Sequence, residues 1–112
     1  MPEGPSIVIL REEAAAFTGR KILRVEGNTT VDKERLLNKR IVASHSWGKH
    51  FLVETPTFSL RVHFLMFGSY RINERKGYAP ERLSLGFSRG EELNLYSCSA
   101  QFIDFPLDDI YD

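Results

Sequence analysis

The chain has 112 residues, 42% hydrophobic and 12% aromatic, which fits one domain with a packed core and excludes disorder. No apolar run approaches the roughly 20 residues that span a bilayer, and no basic stretch followed by an apolar one marks a secretory leader. Lys and Arg number 15, as do Asp and Glu; a free-standing nucleic-acid binder usually carries a basic excess, so either this domain binds none or something outside it supplies the charge.

Pro5 and Ser6 open a predicted helix over residues 7–17, since proline suits a first helical turn. Ile7, Leu10, Ala14 and Phe17 recur at helical spacing and form its core face, with Gly19 as the stop. A short strand is predicted over 21–25 and a brief helix over 31–37. From residue 40 the apolar period changes to two. Residues 40–46, 51–55, 58–64, 69–73, 82–87, 91–97 and 101–105 read as strands, with turns at 56–57 and 88–90 and a longer loop at 76–80. This pattern predicts a mainly β fold: an antiparallel β-sandwich or flattened barrel, with the N-terminal helix packed on it and one further short helix. His45 has no partner at a recognisable spacing and reads as structural. Cys98 is the single cysteine. It can form neither an internal disulfide nor a multi-thiolate zinc site, so no metal is expected and a reducing cytoplasm suits the chain. The acidic stretch 108–112 reads as the start of a linker.

Three segments could carry chemistry. The first is the opening, Met1-Pro2-Glu3-Gly4-Pro5. A small penultimate residue favours removal of the initiator methionine, leaving Pro2 with a free secondary amine. An α-amine titrates near pH 7.7–8.0, far below lysine, so much of it is nucleophilic at neutral pH. Such an amine can form a Schiff base on a sugar carbon, and Glu3 could move protons beside it. The same prolines also make an ordinary helix start. The second segment is Trp47-Gly48-Lys49-His50, a predicted turn between strands, in which Lys49 is either functional or one more exposed lysine. The third is His63-Phe64-Leu65-Met66-Phe67-Gly68. A strand cannot hide four consecutive large side chains on one face. Either the run is buried on both sides, or part of it projects, as a wedge that fills the gap left by an extruded base must do.

The Pro2-Glu3-Gly4-Pro5 opening resembles the N-terminal signature of the formamidopyrimidine-DNA glycosylase / endonuclease VIII family, in its endonuclease VIII-like branch. Ser6 stands where the family usually has a glutamate. The resemblance implies that Pro2 is the nucleophile and Glu3 the acid/base catalyst. It implies that Lys49 assists catalysis and contacts phosphate from a β-turn, and that His63 contacts phosphate. Leu65, Met66 and Phe67 would be the DNA wedge, Met66 at its centre. In one branch a loop before Phe102 carries a void-filling arginine; Ser99-Ala100-Gln101 lacks it, which favours the endonuclease VIII-like branch.

On this resemblance, residues 1–112 are a single N-terminal catalytic domain. The helical DNA-binding domain and finger of the family would lie beyond it, as would any zinc. No cofactor is expected within this chain. The implied activity is that of a bifunctional DNA glycosylase and abasic-site lyase, repairing oxidised bases in double-stranded DNA as a monomer in the bacterial cytoplasm. The isolated domain is expected to be inactive. The alternative is a non-catalytic β-sandwich that uses the apolar run from Phe64 to Phe67 as a protein contact.

Overall fold

The computed structural model describes residues 4–107. Helix α1 (Gly4–Ala14) continues into a 3-10 turn, Ala15–Phe17. Ile7, Leu10, Ala14 and Phe17 are all buried, as their spacing requires. Gly19 ends the helical segment at φ +84°, a conformation that glycine adopts without strain.

Six strands follow: β1 (Arg24–Glu26), β2 (Ala43–Trp47), β3 (His50–Glu54), β4 (Ser59–Ile72), β5 (Leu83–Gly86) and β6 (Glu92–Ile103). They form one antiparallel sheet in the order β1-β5-β6-β4-β3-β2. The long β4–β6 ribbon serves two half-sheets. The first half of β4 pairs with β3, and the first half of β6 pairs with β5. Phe51, Val53, Leu60 and Val62 from one half and Leu83, Leu85, Leu93 and Leu95 from the other enter a single buried cluster with the helix. That shared core makes the sheet a flattened sandwich with α1 packed on it.

Several predicted boundaries differ. The strand over 21–25 shortens to β1, and Lys21 makes only an isolated bridge to Arg40. The brief helix is a 3-10 turn, Lys33–Leu36, anchored by buried Leu36. Residues 58–64 and 69–73 lie on one strand, β4, and 91–97 and 101–105 fall largely on another, β6. No loop precedes Phe102: it sits in β6, half-buried, with its ring edge-on to Phe58 at 5.3 Å.

The outer face of β5 and β6 also buries polar groups. The Ser84 hydroxyl donates to Asn94 at 2.5 Å, and the Asn94 amide donates to the Glu74 carbonyl at 2.6 Å. Arg75 reaches over this face to Glu92, Glu81 and Glu26. The Arg75 hydrogen bond, reinforced by Asn94, lowers the Glu92 carboxyl to about 2. Cys98 is buried, and that burial pushes its thiol up to about 11, so it acts as a packing residue.

Phe17 stacks on Phe87 with ring centroids 4.3 Å apart, and Arg20 lies over both rings. Phe17→Ala should therefore destabilise the domain by about 3–5 kcal/mol in urea unfolding. Ile9→Ala, at a helix position 52% exposed, should cost under about 0.5 kcal/mol.

Candidate nucleic-acid interface

The β2–β3 hairpin closes on Gly48 and Lys49. Gly48 has φ +57°, as the first central residue of a II′-type hairpin turn requires. This tight turn leaves Lys49 exposed at the sheet end. Register then sets its neighbours. Trp47 pairs with His50, His50 with His63, and His63 with Ser99. Their side chains share the outer face, opposite the core residues Phe51, Val62 and Phe64. His63 is exposed, and its ring meets that of His50 edge-on at 5.4 Å. Burial, then Arg61 and His63, lower the His50 pKa.

Just past His63 the β4–β6 ladder breaks register. Phe64 pairs with Cys98 and Ser69 with Tyr96, so residues 65–68 of β4 face Ser97 alone. This is a large bulge. Leu65 and Met66 stand out of it, 43% and 69% exposed. Phe64 remains buried before it and Gly68 after it. The expectation of projecting apolar residues thus holds for Leu65 and Met66; the backbone of Phe67 belongs to the same segment. A side chain at Gly68 would place its Cβ 2.8 Å from the Leu65 carbonyl, the Phe64 Cβ and the Ser97 carbonyl. Only glycine closes the bulge.

Pro2 and Glu3 lie outside the described residues. Ser6, three positions after Glu3, lines a cleft of about 540 Å³ with Glu13, Gly68, Ser69 and Tyr70. The Tyr70 hydroxyl donates to Glu13 across it; burial and this carboxylate push Tyr70 up to about 12. The start of α1 and the closing side of the bulge are therefore neighbours. His45, read as structural, bonds the Glu54 carboxylate across the β2–β3 pair at 2.8 Å. Among the described residues, no group of three or more His, Cys, Asp or Glu side chains could hold a metal ion, and no helix is long and apolar enough to cross a membrane.

The model of the formamidopyrimidine-DNA glycosylase N-terminal domain matches residues 1–98. The chain belongs to this family. Solved structures of family members share its fold. The LlFpg protein in complex with a THF-DNA and an inhibitor matches with a TM-score of 0.81 at 22% identity, over 97% of this chain and 46% of that one. The Lactococcus lactis formamidopyrimidine-DNA glycosylase bound non-covalently to DNA containing an AP site matches with a TM-score of 0.79 at 21% identity, over 97% and 47%. MutM in complex with DNA containing carbocyclic 8-oxo-G gives 0.76 at 24% identity, over 91% and 44%. The chain thus spans less than half the length of each. No curated protein sequence matches it.

The glycosylase-family fold thus brings Lys49, His63, Leu65 and Met66 to one end of the sheet. It also places His50 opposite His63, and Tyr70 against Glu13, contacts that need strand register and helix packing to be seen. The bulge generates a prediction. Gly68→Ala should cost about 1–3 kcal/mol through the forced clash, read by urea unfolding. It should also shift the amide resonances of residues 64–69. Gly77→Ala, with open space around its added Cβ, should change stability by under about 0.5 kcal/mol.

Proposed function

We propose that this domain is the catalytic part of a base-excision repair glycosylase that removes oxidised bases from duplex DNA and then cleaves the abasic strand. The observation that carries the reading is the family match over residues 1–98, joined to an exposed apolar bulge at the sheet end that also carries Lys49 and His63. In this reading Met66, flanked by Leu65 and Phe67, enters the duplex where the damaged nucleotide leaves it. Unstacking costs a few kcal/mol per step, and a side chain filling the void offsets part of that cost.

Pro2, freed of Met1, attacks the anomeric carbon of the extruded nucleotide through its uncharged amine. The C1′–base bond breaks, and Glu3 moves the proton that opens the sugar ring. The resulting iminium acidifies the neighbouring carbon. Loss of that proton expels the 3′ phosphate, and water releases Pro2. Lys49 and His63 hold the backbone during these steps. The reading extends to oxidised pyrimidines as substrates, on the Pro2-Glu3-Gly4-Pro5 opening. It needs no cofactor within residues 1–112 and one copy of the enzyme per lesion, in a bacterial cytoplasm.

A domain with 15 basic and 15 acidic residues lacks the surplus cations whose counterion release dominates non-specific DNA affinity. The other half of such an enzyme supplies them, and residues 1–112 alone should show negligible turnover at physiological salt. In an intact enzyme carrying this domain, with Met1 removed, borohydride should trap a covalent adduct with abasic DNA. Peptide mapping should place the adduct on Pro2. An adduct on Lys49, or none, would overturn the assignment.

A further inference from the structure

We propose that His50 is a further phosphate ligand, paired across the strands with His63, so that one DNA backbone phosphate lying over the pair accepts a hydrogen bond from each imidazole. The inference rests on the glycosylase reading and deepens it, because the family resemblance assigns phosphate contacts to Lys49 and His63 and none to His50.

The geometry comes from register. His50 and His63 are directly opposed on β3 and β4, with ring centroids 5.4 Å apart. An anion above such a pair can accept a hydrogen bond from each ring. Lys49 precedes His50 on the turn, and Arg61 lies two residues before His63 on the same face. The row across the sheet reads Trp47, His50, His63, Ser99, and the next reads His45, Leu52, Arg61, Gln101. Neither row contains a carboxylate. The nearest along the strands, Glu54, is engaged by His45, and Arg61 bonds Gln101. Helix α1 sits on the opposite face, where Arg11 donates to Ser46, the register partner of core residue Phe51. Among the described residues, these two rows therefore carry cationic and neutral side chains only. Two imidazoles beside an arginine and a lysine suit a phosphodiester, since like charge opposes a metal dication at the same spot.

Without DNA, burial, then Arg61 and His63, lower the His50 pKa, favouring its neutral form. A phosphate lying over the two rings reverses that balance, because an opposite charge within a few ångströms favours the protonated form. Binding should then take up protons and tighten as pH falls from 8 to 6.

The test uses the 112-residue chain and a short duplex carrying a tetrahydrofuran abasic-site analogue, at low ionic strength where weak binding is visible. Imidazole resonances are followed by NMR against pH, with and without duplex. The expected result is a rise in both titration midpoints, His50 and His63, by about half a unit or more. His50→Gln should weaken binding about tenfold at pH 6 and by less at pH 8, while His45→Gln leaves it unchanged. A rise at His63 alone, or equal losses for His50→Gln at both pH values, would overturn the paired site and leave the glycosylase reading standing. No binding at all would overturn the paired site alone, and duplex binding that perturbs neither histidine nor Met66 would overturn both.

Discussion

The β4–β6 ladder holds the domain together, and its one break in register makes the candidate interface. Between the pairs Phe64–Cys98 and Ser69–Tyr96, β4 inserts residues 65–68 against Ser97 alone. Ser97 takes φ +49° there. On β6 the break exchanges the inward face: Cys98, Ala100 and Phe102 pack inward after it, and Leu93 and Leu95 before it. A one-residue slip in a strand has this consequence, because side chains alternate faces. On β4 the inserted residues let Leu65 and Met66 leave the surface together while the ladder resumes behind them. A regular strand would have turned one of the two inward.

The same ladder fixes what surrounds the projecting residues. The β2–β3 hairpin ends opposite the bulge because β3 pairs with β4 only as far as His50–His63. Lys49 therefore stands beside the projecting segment. Helix α1 approaches from the other side, tied to β2 through Arg11–Ser46 and to β4 through Glu13–Tyr70. Rigid elements, and not long loops, position each of these groups. That arrangement suits the proposed site, where an extruded nucleotide would have to be held close to its nucleophile.

Much of this was legible in the sequence. The helix revealed its buried face because Ile7, Leu10, Ala14 and Phe17 repeat at helical spacing. The apolar run beginning at Phe64 leaves two alternatives, burial on both faces or projection, because alternation cannot bury four neighbours on one face; the bulge decides for projection of Leu65 and Met66. The turn at Lys49 was readable from Gly48. The continuity of β4 and β6 was not, because a bulge looks like a strand end when only one strand is read. The His50–His63 pair was also hidden: it depends on register between strands, and nothing in the spacing of 13 residues along the chain sets it. The sequence pattern places Phe102 after a loop, whereas pairing with Leu60 keeps it in β6.

In the proposed function Met66 acts on the duplex and not on the chemistry at the sugar. Its most direct test is Met66→Ala in an intact enzyme carrying this domain, assayed on two substrates. Excision of an oxidised base from duplex DNA should fall by about tenfold or more, since the void-filling contact offsets an unstacking cost of a few kcal/mol. Cleavage of a single-stranded abasic site, which needs no base extrusion, should change by less than about twofold. Equal losses on both substrates, or unchanged duplex excision, would contradict the account.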